Sequence, residues 1–165
     1  MSLPAPRDPG RYRIELVCLG NICRSPMAHV VLEARLDEAG LGDAVEVTSS
    51  GTGDWHVGNR MDRRAAATLS AAGYDPSRHR ARQYDAGSAA DADLVLAMDG
   101  DNLADLGGVS PRVMLFRAFD PVDPGGDVPD PYYGGDAGFE EVLTMVDRTS
   151  ASLATHVAAA LGRTP

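Results

Sequence analysis

Residues 14–39, IELVCLGNICRSPMAHVVLEARLDEA, join a strand pattern to a helix pattern through one short loop. Residues 13–17 alternate and then end in apolar side chains, which is typical of a buried strand. From residue 27 onward apolar side chains recur at helical spacing, up to a suitable helix stop at Gly40. Residues 18–26, CLGNICRSP, lie between the two. This order predicts the first half of a β-α-β unit, with the loop at the carboxyl end of its strand.

The rest of the chain repeats this alternation. Short β-type runs cover residues 45–48, 94–98 and 113–116, and helical patterns cover residues 63–72 and 139–161. Strands that alternate with helices favour a parallel sheet. We therefore predict an α/β fold, a doubly wound, four-stranded parallel sheet with helices on both faces. In such sheets ligands bind beyond the carboxyl ends of the strands, so the loop after the first strand is the expected site.

The composition fits one globular domain, since 44% of the 165 residues are hydrophobic and the mean hydropathy is -0.19. We expect a single domain over residues 1–165, with residues 1–12 as a flexible N-terminal extension. The start, MSLPAPRDPGRYR, lacks the apolar core of a signal peptide, and no apolar stretch has membrane-spanning length. With 2 cysteines, disulfides are not expected to hold the fold. The expected location is the cytoplasm.

The formal net charge of -9 argues against nucleic acid or an anionic membrane as a partner, because both bind cationic surfaces. Every basic residue is an arginine, and residues 60–82 hold six of them against two aspartates. Residues 85–141 hold thirteen acidic residues against two arginines. The simplest interpretation of each block is a solvated face.

The loop at residues 18–26 has the composition of an anion site. Gly20 permits backbone torsions that a Cβ would forbid, and Asn21 tolerates positive φ, so successive N–H groups can turn inward. Ser25 is a suitable N-cap and Pro26 a suitable first helical residue, which predicts that the helix begins there. A ring of amides followed by a helix N-terminus favours negative charge. This loop is therefore predicted to bind an oxyanion such as phosphate.

Two side chains of the loop carry the predicted chemistry. Arg24 can hold two phosphate oxygens with its planar fork. Cys18 lies at the base of the loop, and the field that holds an anion also favours a thiolate, which can attack phosphorus. Alone, Cys18 could equally be a small buried hydrophobic residue at a strand end. The hypothesis depends on the whole string, with Gly, Asn, Ser and Pro in the positions that an anion loop requires.

The loop and four later motifs together resemble one enzyme family. VCLGNICRSP is nearly identical to the phosphate loop of the low molecular weight protein tyrosine phosphatases. The resemblance continues through SSGT and the tryptophan after it, HRARQ, LVLAMD and DPYYGG, and covers residues 13–161. It implies a flavodoxin-like fold of the phosphotyrosine phosphatase I type, and hydrolysis of protein phosphotyrosine through a phosphocysteine intermediate.

The resemblance assigns roles to individual residues. It makes Cys18 the nucleophile and Arg24 the phosphate clamp, with Ser25 donating to the sulfur and easing its departure. The phosphate-binding loop comprises Leu19, Gly20, Asn21, Ile22, Cys23 and Ser25. The residues that hold this loop in shape are Asn21, Ser49 and His79. Without the resemblance, Ser25 is a plain helix cap and His79 a surface histidine.

A general acid is expected in the segment DPYYGG. The sequence has five Asp-Pro pairs, but only Asp130 is followed by Tyr132 and Tyr133. The resemblance makes Asp130 the general acid and base, and makes both tyrosines and Trp55 the substrate pocket; the alternative for Trp55 is core packing. An aromatic slot favours phosphotyrosine over the shorter phosphoserine. The implied reaction needs no metal and no cofactor.

Residues 119–138 are rich in Pro, Gly and Asp, which predicts either a functional loop or local disorder. Cys23 lies five residues after Cys18, and the resemblance implies that the two can form a reversible disulfide that protects the nucleophile. The expected partners are phosphotyrosine-containing proteins or peptides as substrate and inorganic phosphate as product and inhibitor. We expect no nucleic acid and no membrane as partner, and a monomeric protein.

Three alternatives remain open from the sequence. An arsenate reductase shares the Cys-x5-Arg loop but needs a relay of further cysteines, which this chain lacks. A phosphate or sulfate sensor fits the loop but leaves the DPYYGG segment without a purpose. A small aromatic phosphoester or phosphoarginine could replace phosphotyrosine as the substrate.

Overall fold

The computed structural model describes residues 2–163. The four strands are β1 (Tyr12–Cys18), β2 (Val45–Gly51), β3 (Leu94–Ala97) and β4 (Val113–Leu115). The helices are α1 (Arg24–Glu38), α2 (Arg63–Ala71), α3 (Ala86–Ala89), α4 (Gly100–Asp105) and α5 (Asp136–Ala160), with a 3-10 turn at Phe116–Phe119. Within residues 2–163, no helix combines the length and apolarity needed to cross a membrane.

The sheet has the strand order β2-β1-β3-β4, and all three strand pairs are parallel. The predicted doubly wound, four-stranded parallel sheet is therefore confirmed. The chain moves outward from β1 to β2, then returns past β1 to β3 and continues to β4. The order thus reverses between β1 and β3, and β1 ends there at Cys18. The loop that follows opens at this switch point, where ligands bind in doubly wound sheets.

Alternate side chains of β1 point to opposite faces of the sheet, and both faces are covered. Ile14 and Leu16 are buried in the larger core, which includes residues of α1 and α5. Val17 is buried on the other face with Ala89 of α3 and Val95 of β3. Burying one such aliphatic side chain contributes about 1.5–3 kcal/mol. Because both faces are buried, the strand is fixed in register and Cys18 has a defined position.

Helix α5 begins before the predicted residue 139 and runs for 25 residues along α1. Its buried apolar side chains recur at helical spacing and include Phe139, Val142, Val146, Leu153 and Val157. Helix α1 ends at Glu38, and Gly40 follows with a φ of 75°. This is the left-handed conformation that glycine adopts without strain, so the predicted stop lies one residue beyond the C-cap.

A buried arginine organises the segment rich in Pro, Gly and Asp. The Arg117 guanidinium donates to Asp120 at 2.9 Å and to the carbonyl of Asp127 at 2.6 Å. Hydrogen bonds from Arg148, from the Val122 N–H and from Arg117 hold the pKa of Asp120 well below its usual range. Val128, within the same segment, is fully buried. Of the two predicted possibilities, the structure has an ordered loop here, and that loop leads to Asp130.

Contacts from the first residues reach the sheet. The Arg7 N–H donates to Asp93 Oδ1 at 2.7 Å, and the carbonyl of Pro4 accepts from the Tyr12 hydroxyl at 2.9 Å. Leu3 packs against the larger core. Tyr12, which the sequence places in the N-terminal extension, is fully buried and begins β1. The N-terminal extension therefore ends one residue earlier than predicted, at residue 11.

Candidate active site

The loop after β1 differs from the prediction at the start of its helix. Helix α1 begins at Arg24, and its N-cap residue is Cys23, which makes no side-chain capping bond. Ser25 and Pro26 are the second and third helical residues, so the predicted capping role of Ser25 is wrong. The earlier start brings Arg24 into the first turn. The serine hydroxyl is then free for another partner.

The backbone of the loop turns at Asn21, with a φ of 56°, which makes it the one non-glycine residue among residues 2–163 with a positive φ. The prediction for Asn21 is confirmed. Gly20 does not have a positive φ, so the predicted reason for that glycine is wrong. A Cβ there would lie 3.1 Å from the ring of His56. Gly20 thus makes room for a neighbouring side chain.

Cys18 is only 2% exposed, and its sulfur lies within a hydrogen-bonded cluster. The Asn21 N–H donates to Sγ at 3.3 Å, and the Ser25 hydroxyl lies 3.0 Å from Sγ. Asn21 Nδ2 donates to Ser25 Oγ at 2.8 Å, so the single hydroxyl hydrogen of Ser25 remains available as a donor. Its two possible acceptors are Sγ and the Ser50 carbonyl at 3.3 Å. The cluster can therefore present two donors to the sulfur.

The Arg24 side chain is 3% exposed and is held from two sides. Nη1 donates to Asp99 Oδ2 at 2.5 Å and to the Val128 carbonyl at 3.1 Å, while Nη2 lies 3.5 Å from Asp130 Oδ2. Burial lowers the pKa of the Arg24 guanidinium, but Cys18, Asp99 and Asp130 together outweigh burial and keep the pKa above its ordinary value. Arg24 is therefore a fixed cation at the mouth of the loop.

Asp99 has no predicted role, although it is the last residue of the motif LVLAMD. The available signal was its position directly after the β3 region. The carboxyl ends of adjacent parallel strands meet at one edge of the sheet, so residues after β1 and β3 lie close together.

The Asn21 side chain and carbonyl are held by three further groups. The Arg82 N–H donates to Asn21 Oδ1 at 2.9 Å, and Asn21 Nδ2 donates to Ser49 Oγ at 3.1 Å. His79 Nε2 lies 2.6 Å from the Asn21 carbonyl, which only accepts, so this nitrogen carries a hydrogen. Burial lowers the pKa of His79. The structure thus brings Ser49 and His79 to the residue that has the strained φ.

His29 extends this cluster and was missed in the sequence. Its Nδ1 lies 3.3 Å from Ser49 Oγ, and its Nε2 lies 3.3 Å from Glu33 Oε1. Ser49 accepts from Asn21, so its own hydrogen is free for Nδ1, while the Nε2 hydrogen points to Glu33. The spacing of His29 and Glu33 on α1 could have suggested their pairing, but not their contact with β2.

The cavity above the loop has a volume of about 360 Å³. It is lined by loop residues together with Trp55, His56, Asp130, Tyr132 and Tyr133. Trp55 is 67% exposed and Tyr133 is 93% exposed, so the core-packing alternative for Trp55 is wrong. The rings of Tyr132 and Tyr133 meet edge to face at 4.9 Å between centroids. The opening of the cavity is therefore aromatic.

Asp130 begins the acid loop, which we define as residues 130–135. Its Oδ1 accepts from the Tyr132 N–H at 3.1 Å, which fixes the carboxyl group over the cavity beside Arg24. Cys23 also lines the cavity, and burial raises the pKa of its thiol. Within residues 2–163, no group of three or more His, Cys, Asp or Glu residues is arranged to hold a metal ion.

The sequence profile of the low molecular weight phosphotyrosine protein phosphatases matches residues 13–163. The low molecular weight protein-tyrosine-phosphatase of Streptomyces coelicolor is 47% identical over 154 residues, which are 88% of this chain and 93% of that protein. The low molecular weight protein-tyrosine phosphatase A of Mycobacterium tuberculosis is 48% identical over 139 residues, which are 81% of this chain and 84% of that protein.

Solved structures agree with these sequence matches. A protein tyrosine phosphatase from Entamoeba histolytica, with Hepes in its active site, has a TM-score of 0.84 and 28% identity, over 90% of this chain and 97% of that one. Vibrio vulnificus Wzb in complex with benzylphosphonate has a TM-score of 0.76 and 25% identity, over 88% of this chain and 99% of that one. The chain belongs to the low molecular weight phosphotyrosine protein phosphatase family, a family of cysteine-dependent hydrolases.

Proposed function

We propose that this phosphatase acts through Cys18 as nucleophile, Arg24 as phosphate clamp and Asp130 as general acid and base. The observation that carries the proposal is the convergence of three segments on one cavity. Cys18 ends β1, Arg24 begins α1 and Asp130 begins the acid loop, yet all three line the same space. The Cys-x5-Arg loop by itself fits any oxyanion. The carboxyl group beside Arg24 adds a proton donor and so favours hydrolysis over mere binding.

In the first step, the Cys18 thiolate attacks phosphorus in line with the bond to the phenolic oxygen. The S–P bond forms as the P–O bond breaks, and the leaving oxygen takes the proton of the Asp130 carboxyl group. Arg24 and the N–H groups of the loop hold the other phosphate oxygens while charge redistributes among them. The products of this step are a free phenol and phosphocysteine.

In the second step, the Asp130 carboxylate takes a proton from water as the water oxygen attacks phosphorus. The O–P bond forms and the S–P bond breaks, which releases inorganic phosphate and returns the Cys18 thiolate. The Ser25 hydroxyl, at 3.0 Å from Sγ, is placed to donate to the departing thiolate. Asn21, Ser49 and His79 keep the loop in its shape through both steps. Phosphate, as a product that fits the same loop, is expected to inhibit.

The aromatic opening supports phosphotyrosine as the substrate. Trp55 and Tyr133 are exposed at the rim, and Tyr132 lies between Tyr133 and His56. These rings offer stacking and edge contacts to a phenyl group. Vibrio vulnificus Wzb, a structural relative, is seen with benzylphosphonate, which is likewise an aromatic ring on a phosphorus group. Phosphoarginine has no ring and is expected to be the poorer substrate.

We also propose that Cys23 protects the nucleophile: once peroxide has oxidised the Cys18 thiolate to a sulfenic acid, the Cys23 sulfur attacks the Cys18 sulfur, a reversible disulfide forms and water leaves. We further propose that the enzyme works in the cytoplasm. Both cysteines are free thiols in the structure. Burial raises the pKa of the Cys23 thiol, which disfavours its thiolate at neutral pH. A reducing compartment keeps the nucleophile in the form that the reaction needs.

The test compares the Cys18→Ser and Asp130→Ala variants on 4-nitrophenyl phosphate and a phosphotyrosine peptide, with a metal chelator present. Cys18→Ser should bind vanadate weakly and show no turnover. The rate of Asp130→Ala on the peptide should be about 10²- to 10⁴-fold lower than that of the parent. Asp75→Ala is the matched control. Asp75 is also followed by proline, is exposed, and accepts from the backbone N–H two residues on, but it lies outside the cavity. Full activity of Cys18→Ser would eliminate the mechanism.

A further inference from the structure

Arg64 of α2 holds the acid loop without contributing to the cavity. Its Nη2 donates to the Tyr132 carbonyl at 2.8 Å and its Nη1 to the Gly134 carbonyl at 3.2 Å. The guanidinium carbon lies 4.7 Å from the centroid of the Phe139 ring and 5.6 Å from that of Tyr132. The planar fork is thus bonded along its edge to the loop backbone and stacked on the rings beside it. Tyr132 lies in the turn that follows Asp130, and its N–H donates to Asp130 Oδ1.

The residue at the start of α2 is bonded to the phosphate loop. The Asp62 N–H donates to the Ile22 carbonyl at 2.9 Å. The Asp62 carboxylate caps α2 by accepting from the Arg64 N–H, and it also lies 3.2 Å from Arg64 Nη2. Hydrogen bonds from Arg64 outweigh burial and lower the pKa of Asp62, so the carboxylate stays charged. One short turn, residues 62–64, therefore contacts the loop of the nucleophile and the loop of the acid.

We propose that Arg64 is a positioning residue of the phosphatase reaction, which holds the acid loop in register with the phosphate loop so that Asp130 can protonate the leaving group. The proposal rests on the proposed role of Asp130 as general acid. Arg64 does not line the cavity, so it is not placed to touch the substrate or the reacting atoms. Its effect passes through hydrogen bonds to the main chain of residues 132 and 134, and stacking on the rings of Tyr132 and Phe139 adds to it.

Loss of a residue that positions the acid has a kinetic signature that general loss of structure lacks. A leaving group that is stable as an anion departs without a proton, whereas phenol, with a pKa of about 10 like tyrosine, needs one. Misplacing the acid should therefore slow poor leaving groups and spare good ones. The ratio kcat/KM reports the steps up to departure of the phenol, so it measures this dependence directly.

The experiment measures kcat/KM of Arg64→Gln on phenyl phosphate and on 2,4-dinitrophenyl phosphate. We expect about a tenfold loss on phenyl phosphate and a change within about twofold on the dinitrophenyl ester. Arg64→Lys should fall between, because an ammonium group supplies donors but neither the fork nor the stacking. Arg63→Gln is the matched control, since Arg63 is the exposed neighbour in the same helix. It should leave both values unchanged.

Asp130→Ala and the double variant Arg64→Gln/Asp130→Ala test the role of Arg64 separately from the role of Asp130. If Arg64 acts through Asp130, the double variant has the kcat/KM of Asp130→Ala on both esters. An equal loss on both esters in Arg64→Gln, or a further tenfold loss in the double variant, would overturn the positioning role while leaving Asp130 as the acid. If Asp130→Ala itself shows no dependence on the leaving group, the acid assignment fails and the role of Arg64 fails with it.

Discussion

Adding a single methyl group at Gly51 should displace the backbone of the phosphate loop. This glycine ends β2 and pairs with Cys18 in the sheet register. A Cβ at this position would lie 2.7 Å from the Leu19 carbonyl oxygen and 3.0 Å from the Asn21 nitrogen, both backbone atoms of the loop. Gly51 cannot retreat, because its own N–H and C=O are bonded to the segment that follows Arg80, at 2.9 Å and 2.7 Å. We therefore expect Gly51→Ala to move the loop instead.

The magnitude follows from these distances. The Leu19 carbonyl must move by about 0.7 Å to reach an ordinary contact of 3.4 Å. Overpacking of a buried site costs about 1–3 kcal/mol, and each kcal/mol lowers Tm by about 2–4 °C for a chain of this size. The same movement displaces the Asn21 N–H from the Cys18 sulfur. Losing one preorganised donor costs about 10²–10³ in rate, so a displaced donor should cost at least about tenfold.

Thermal unfolding and kcat/KM on 4-nitrophenyl phosphate measure the two effects of Gly51→Ala. Vanadate should raise Tm less in the variant than in the parent, because the loop binds the anion more weakly. Gly87→Ala is the control, since Gly87 is exposed in α3 and its added Cβ would meet only Asp85 Oδ1, at 3.4 Å. Unchanged Tm and unchanged kcat/KM in Gly51→Ala would refute the argument that this close approach shapes the loop.

Three further results are expected. Asp99→Asn should lower kcat/KM about 10- to 100-fold, because a hydrogen bond to a charged group such as Arg24 contributes about 1.5–3 kcal/mol; a loss below twofold would contradict this. Burial holds the pKa of His79 below 6.5, so in acid the unfolded chain binds more protons than the folded one. The free energy of unfolding therefore decreases as the pH is lowered. His79→Gln should flatten the fall in the free energy of unfolding between about pH 7.5 and 5.5 in urea titrations, and parallel curves would be evidence against it. Iodoacetamide at neutral pH should label Cys18 before Cys23, whose thiol pKa is raised by burial, and peptide mass mapping would reveal the opposite order.

The sheet could be predicted because its signals are local. Apolar alternation marks β1, helical spacing marks α1 and α5, and parallel pairing follows from the way strands and helices alternate. Errors occurred where a local preference met a tertiary contact. Ser25 has a good capping side chain, but that side chain is held by Asn21 and faces the sulfur, and the helix begins two residues earlier than predicted.

The residues that sequence reasoning missed all act across long separations. Asp99 meets Arg24 across 75 positions, and the acid loop meets Arg64 across about 70. No periodicity or spacing relates such pairs, because the sheet order and the packing of α2 bring them together. His29 was missed for the same reason, since its partner Ser49 lies on β2.

The short separation of Asp130 from Arg24 makes the carboxylate and an incoming phosphate compete for one cation. At 3.5 Å the carboxylate is a counter-ion of the guanidinium, in the place where a phosphate dianion seeks the same cation. Two anions beside one cation repel each other. A phosphate dianion bound there would therefore weaken the contact between Asp130 and Arg24. The ion pair with Asp130 and the complex with phosphate are thus two alternative uses of one cation.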